Sequence, residues 1–223
     1  MIFEDQRREL VETLHELQRL GLVIGTAGNV SVRLDAGRFL VSPSGIRYST
    51  MGPADVCVID ADGTLIDGNH LPTSETRLHL TIYETSEHRA IVHTHSSAAV
   101  AVSSLVDEVP PHHYYISNFG DQVRVAKYHT FGTLALADAV REALGSNLGA
   151  LMANHGAVVV GPDLVVATER ASLLEWLCRT WLDAASAGLP ALLTPEQLAE
   201  VRNRRTRSIY DEIAATNRGE GER

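Results

Sequence analysis

Ala90-Ile91-Val92-His93-Thr94-His95 is the stretch on which the fold turns. Three apolar residues enter it without a polar break, the pattern of a buried strand. If the strand continues through the histidines, its period of two sends both imidazoles to the same face. Two imidazoles on one side of a rigid element can hold a metal at little ordering cost. Small polar residues follow the pair, which places it at a strand end, where ligands collect in α/β proteins. Taken alone, two half-buried polar residues at a strand end account for it equally well. His155, in Ala153-Asn154-His155-Gly156, supplies a third candidate, again where an apolar strand meets a turn. Three neutral imidazoles leave zinc one open position, as catalytic rather than structural sites do. Manganese or another divalent cation suits the same donors.

Outward from this stretch, strands and helices alternate. Leu10, Val11, Leu14 and Leu17 recur at helical spacing and predict a helix over about residues 4–20, stopped at Gly21. Val30–Leu34 and Phe39–Val41 read as strands joined by the turn Asp35-Ala36-Gly37, and a further strand is predicted from Val56 to Ile59. Thr73-Ser74-Glu75 opens a helix to about Tyr83. Ser96 or Ser97 is expected to cap a short helix. Strands are predicted at Val123–Ala126, Ala150–Met152 and Ala157–Val160, and helices at Leu134–Leu144, at about Leu164–Ala187 and from Pro195 onward. Because several strand pairs are joined by short turns, the expected fold is α/β, a three-layer α/β/α arrangement around a mixed, largely antiparallel sheet. The whole of 1–223 reads as one domain, with a tail from about residue 215 expected to be disordered.

Composition narrows the function. Acidic residues outnumber basic ones by 28 to 19, a formal charge of −9, without the basic stripe that nucleic acid requires. Arg202, Arg204, Arg205 and Arg207 form the best local cluster and read as a solvated helix face or a subunit contact. The two cysteines, Cys57 and Cys178, make no disulfide framework. The charged start MIFEDQRREL is neither a secretory segment nor a membrane span, so a cytoplasmic protein with no membrane partner is the expectation.

Glu75 has two readings. It can cap or complement its helix dipole. Beside a metal it can instead serve as a displaceable ligand and a desolvated acid/base. Three loops, Gly28-Asn29 with Ser31, Ser44-Gly45 and Thr73-Ser74, share small side chains, hydroxyl or amide groups and exposed N–H. Converged, they would cradle a phosphate, helped by the helix start at Thr73-Ser74. No GxxxxGK[ST] is present, so a nucleotide is not implied. His79 lies one helical turn beyond Glu75 and reads first as a packing or ligand-supporting residue. His15, His70 and His88 receive no role, and His112, His113, His129 and Asp121 stay undecided. Lys127 reads as a structural residue in a strand.

In chain order, Gly25-Thr26-Ala27-Gly28-Asn29-Val30-Ser31, Ser42-Pro43-Ser44-Gly45, Pro72-Thr73-Ser74-Glu75, His93-Thr94-His95 and Asn154-His155-Gly156 resemble the class II aldolase/adducin family. His113-Tyr114-Tyr115 and residues 128–133 are similar to it as well, and the likeness spans about residues 10–185. The resemblance implies one zinc per subunit on His93, His95 and His155, with Glu75 as fourth ligand and acid/base. It implies phosphate on Asn29, Ser44, Gly45, Thr73 and Ser74, with Gly28 beside them. It further implies a homotetramer with sites between subunits. There Tyr114 of a neighbour is the proton donor, and Phe131 and Tyr210 line the aldehyde side. The reaction implied is reversible cleavage of a ketose 1-phosphate, such as fuculose 1-phosphate or a related deoxy-ketose 1-phosphate, to dihydroxyacetone phosphate and an aldehyde. Alternatives within the family are a methylthioribulose 1-phosphate type dehydratase, a 4-epimerase, in which Asp is expected where Glu75 stands, and a non-catalytic adducin-like module, which lacks the histidines. Asn118-Phe119-Gly120-Asp121 departs from the Ala/Gly-rich stretch expected of the fuculose-phosphate branch, which leaves the aldehyde open.

Overall fold

The computed structural model of this chain describes residues 2–120 and 122–206. Eight strands lie in one mixed sheet: β1 (Asn29–Arg33), β2 (Arg38–Val41), β3 (Cys57–Asp60), β4 (Leu65–Asp67), β5 (Ala90–Thr94), β6 (Val125–Ala126), β7 (Gly149–Met152) and β8 (Gly156–Gly161). Their spatial order is β4-β3-β2-β1-β5-β8-β7-β6. Every neighbouring pair is antiparallel except β6 and β7. The hairpins owe their turns to aspartates. Asp35 Oδ1 accepts from the N–H of Gly37 and Arg38 between β1 and β2, and Asp60 Oδ1 from those of Asp62 and Thr64 between β3 and β4.

Period-two alternation divides the sheet into two apolar faces. Val30, Leu40, Val58, Val92, Leu151 and Val159 face a layer made of α1 (Glu4–Arg19), α3 (Ser97–Ser103) and α5 (Leu164–Ala187). Val41, Ile59, Ile91, Met152, Val158 and Val160 face α2 (Thr76–Glu84) and α4 (Leu134–Leu144). The result is the expected three-layer α/β/α fold, with β5 near the middle of the sheet. α6 (Pro195–Thr206) follows and adds Leu198 to the first of these two clusters.

Three local expectations are corrected, and one strand is added. The strand at Val123–Ala126 shrinks to Val125–Ala126, because Arg124 makes only an isolated bridge to Glu108. Lys127 therefore lies beyond the strand end and is exposed. The short edge strand β4, Leu65-Ile66-Asp67, was not expected: it is three residues long and mostly exposed, so its two apolar residues write no burial pattern. Ser96 stands at the start of α3 without a side-chain cap. Glu175, from α5, takes the N–H groups of Ala98 and Ala99 instead, each at 2.9 Å. Tyr210, Arg207 and the tail from about 215 lie outside the described residues.

Candidate metal centre

β5 delivers His93 from its last turn of pleat and His95 from just past its end. Ile91, His93 and His95 alternate onto the α2 face, and the rings of the two histidines lie 4.8 Å apart. The third ring arrives from the β7–β8 hairpin. Asn154, left-handed at φ 56°, turns the chain and donates its N–H to Ser103 Oγ at 3.2 Å. His155 then lies 4.9 Å from His93 and 4.7 Å from His95, ring to ring. Only glycine fits next to it. A Cβ at Gly156 would stand 2.0 Å from the Thr94 carbonyl oxygen, so main chain meets main chain there. Gly28 makes a similar approach at φ +86°, where a Cβ would come within 2.8 Å of the His93 carbonyl.

Glu75 completes the group. It precedes α2 rather than lying inside it, and its carboxylate makes no cap hydrogen bond. The side chain turns instead toward the imidazoles. Oε2 is 3.1 Å from His93 Nε2, and Oε1 is 3.5 Å from His155 Nε2. One donor atom from each of Glu75, His93, His95 and His155 lies within 4.8 Å of all the others. His93 Nδ1 donates to the Ala157 carbonyl at 2.9 Å, which leaves Nε2 for the cluster, 3.0 Å from His95 Nε2.

Charge follows from this packing. Burial pushes the Glu75 carboxyl up, but His93, Asn29 and His155 outweigh it and hold the group well below the usual carboxylate range. Burial pulls His93 down, and the Glu75 charge more than reverses that, so His93 is raised. Burial, then the charge of His93, lowers His95 to about 3 and His155 to about 4. Glu75 Oε1 is buried with no hydrogen-bond partner among the described residues. An anionic carboxylate with an orphaned oxygen, facing three imidazole nitrogens with lone pairs to give, fits a divalent cation.

Above the cluster opens a cavity of about 530 Å³. Gly28 and Asn29, Ser44 and Gly45, and Thr73 and Ser74 all line it, so the three small-residue loops do converge. Main-chain bonds hold two of them together: Ser44 N–H to Leu71 O at 2.8 Å and Thr73 N–H to Ser42 O at 3.0 Å. Ser31 is the exception. It is buried beneath the site, bonded to His79 and Tyr83, and does not reach the cavity. The Asn29 amide is committed to Glu75 Oε2, at 2.9 Å, and to His79. Thr26, Tyr128, His129 and Asn154 join the lining without having been singled out for it in sequence. Phe131 lines the mouth and is 64% exposed.

The remaining histidines separate cleanly. His79 is buried, and burial followed by the charge of His93 lowers it to about 3. His112 bonds Thr180 Oγ1 at 2.9 Å and the Pro110 carbonyl at 3.0 Å, and His113 Nδ1 accepts the Tyr115 N–H. His70 pairs with Asp55 at 2.9 Å. Tyr114 does not line the cavity of its own chain. It sits in a 3₁₀ turn, Tyr114–Asn118, stacked on His113 with 4.5 Å between centroids. Among the described residues, no helix is long and apolar enough to cross a membrane.

Comparison with known proteins agrees with this geometry. The family model of the class II aldolase and adducin N-terminal domain matches residues 8–182. A 5-deoxy-D-ribulose 1-phosphate aldolase of Bacillus thuringiensis is 36% identical over 200 residues, 89% of this chain and 94% of that one. An L-fuculose phosphate aldolase of Haemophilus influenzae is 36% identical over 197 residues, 87% of this chain and 90% of that one. A solved structure of an L-fuculose 1-phosphate aldolase superposes with TM-score 0.88 at 31% identity, covering 92% of this chain and 98% of its own.

Proposed function

This chain belongs to the class II aldolase and adducin family, and on that premise we propose that it is a zinc-dependent aldolase joining dihydroxyacetone phosphate to an aldehyde, and cleaving the resulting ketose 1-phosphate. One observation carries the reading: three imidazoles and a carboxylate oxygen with no hydrogen-bond partner among the described residues meet beneath a cavity lined by three small-residue loops. When bound on His93, His95, His155 and Glu75, a divalent cation supplies a Lewis acid that polarises the ketone.

The chain's own groups do the rest. Ser44, Gly45, Thr73 and Ser74, with Gly28 and Asn29 beside them, hold the phosphate against the N-terminal end of α2. Glu75, kept anionic by its neighbours, takes a proton from C3 of dihydroxyacetone phosphate. C3 then attacks the aldehyde carbon, and Tyr114 of a neighbouring subunit protonates the aldehyde oxygen as it becomes the C4 hydroxyl. Phe131 lines the aldehyde side, where the family resemblance also expects Tyr210. The chain's single lysine, Lys127, lines an adjacent cavity and not this one, which favours a metal over a Schiff base. A cytoplasmic homotetramer completes the proposal.

The test offers dihydroxyacetone phosphate and a panel of aldehydes to protein stripped with EDTA and then reloaded with zinc. Carbon–carbon bond formation should vanish with the metal and return with it, and borohydride should not trap substrate. Reloaded protein that neither forms a ketose 1-phosphate nor exchanges the C3 proton would overturn the reading. A dehydratase or epimerase of the same fold would release no dihydroxyacetone phosphate from its own substrate.

A further inference from the structure

From Asn29, which borders the cavity, a line of buried polar side chains runs on behind Glu75, and beyond Asn29 the proposed reaction uses none of them. Asn29 is 4% exposed, Ser31 and His79 0%, and Tyr83 3%. Asn29 Nδ2 donates to Glu75 Oε2 at 2.9 Å, and Asn29 Oδ1 meets His79 Nε2. Ser31 Oγ lies 2.6 Å from His79 Nδ1 and 2.9 Å from the Tyr83 hydroxyl. The line arises because two periods coincide. Asn29 and Ser31 alternate on one face of β1, whereas Glu75, His79 and Tyr83 recur every four residues at and along α2.

Each proton in the line has one place to go. A carboxylate only accepts, so the Asn29 NH₂ must face Glu75 and its carbonyl must face His79. A carbonyl only accepts, so His79 carries its proton on Nε2. The neutral ring then has a bare Nδ1, to which Ser31 donates. Ser31 has spent its only proton, so Tyr83 donates to Ser31, a shorter contact than the 3.5 Å to its alternative acceptor, the Arg89 carbonyl. All four bonds point toward Glu75. A flipped Asn29 amide would set its carbonyl against the carboxylate and its NH₂ against the His79 N–H, leaving buried groups unpaired.

We propose that His79 is a positioning residue. Its Nε2–H locks the Asn29 amide, which pins Oε2 of Glu75 and leaves Oε1 as the oxygen presented to cation and substrate. Ser31 and Tyr83 fix the tautomer that makes this possible. The proposal rests on Glu75 acting as described above, so its test has an arm that does not depend on turnover.

That arm is nitrogen NMR on full-length, histidine-labelled protein. His79 is expected as a neutral Nε2–H tautomer with a slowly exchanging ring proton at pH 7; an Nδ1–H tautomer or a doubly protonated ring overturns the proposal whether or not the protein proves to be an aldolase. The second arm compares zinc-loaded His79→Leu with His79→Gln, whose amide can place an N–H near the lost Nε2. His79→Leu should lower kcat by about 10- to 100-fold, the scale for losing a partner that orients a ligand, with KM for dihydroxyacetone phosphate within about twofold and an altered visible spectrum in the cobalt-substituted form. His79→Gln should recover most of the loss. Wild-type kcat in His79→Leu, or no recovery in His79→Gln, overturns the proposal. If His79→Leu does not fold, Ser31→Ala should give a smaller kcat loss with the same unchanged KM, and full activity there counts against the chain.

Discussion

Two groups of rings in this molecule are packed at nearly the same spacing and differ in everything else. His93, His95 and His155 lie 4.7–4.9 Å apart at strand ends, buried or nearly so, with their Nε2 atoms turned inward on Glu75. His113, Tyr114, Tyr115 and Trp176 lie 4.5–5.9 Å apart across a 3₁₀ turn and α5, and Tyr114 and Trp176 are each 43% exposed. In the first group an anion and converging lone pairs demand a cation. In the second, rings packed edge to face, with one stacked pair, satisfy one another and present area outward. Ring density alone therefore marks no site; the direction of the nitrogen lone pairs and a charge that needs an answer do. The contrast also divides labour, since one chain builds its whole cation-binding end but leaves Tyr114 outside its own cavity.

The strongest way to break this contrast is His155→Ala. We expect metal affinity to fall by more than about 100-fold, beyond what loss of an outer partner costs, and activity to fall with it. One equivalent of tightly held zinc in that variant would dissolve the first group as a site. Next come the two proton-handling residues. Glu75→Gln should slow C3 proton exchange by about 10²- to 10⁴-fold. Tyr114→Phe should slow condensation by about 10²-fold yet leave metal content and C3 exchange as in wild type. Co-assembly of His155→Ala subunits with Tyr114→Phe subunits should restore activity, because some cavities then receive both intact parts. Two inactive parents giving an inactive mixture would return Tyr114 to a purely structural role.

The smallest expected effect concerns pH in the metal-free protein. His79 and His95, both lowered to about 3, and His155, lowered to about 4, stay neutral on folding while the unfolded chain takes up protons below about 6.5. Each thus makes the unfolded state the better proton binder, so stability should fall as pH drops from about 7 to 4. His93, raised by Glu75, works in the opposite sense: its contribution is present at low pH and lost as pH climbs past its folded value. His79→Gln should flatten the slope by about 1 kcal/mol per pH unit, read from urea midpoints at successive pH values. Identical slopes would mean that His79 is not held neutral by the fold.

Most of the sheet and both long helices were legible because burial on one face writes a period into the chain, as Ile91-His93-His95 and Leu10-Leu14-Leu17 do. The three clustered histidines were legible for the same reason, each standing where an apolar run stops. Glu75 was not decided by its local sequence, since Thr-Ser-Glu suits a helix cap as well as a metal, and only the turn of its side chain toward His93 chooses. Ser31 looked like part of an anion loop, because nothing in β1 alone reveals that its hydroxyl meets His79, 48 positions away. The signal was there as a matched pair of periods, 29 and 31 against 75, 79 and 83. Reading it requires knowing which strand lies on which helix. Tyr114 posed the opposite difficulty, a residue whose proposed partner belongs to another copy.

The contact between Gly156 and the Thr94 carbonyl has a consequence for how such a protein can change over generations. With no side chain between the hairpin and its neighbouring strand, the triangle of nitrogens is gauged by backbone thickness, which mutation cannot alter. Substitutions can accumulate in the surrounding core, and the rim can be rewritten for a longer or shorter aldehyde, without respacing those nitrogens. A lineage can in this way wander across substrates while its cation-holding geometry is inherited intact, provided position 156 keeps its glycine.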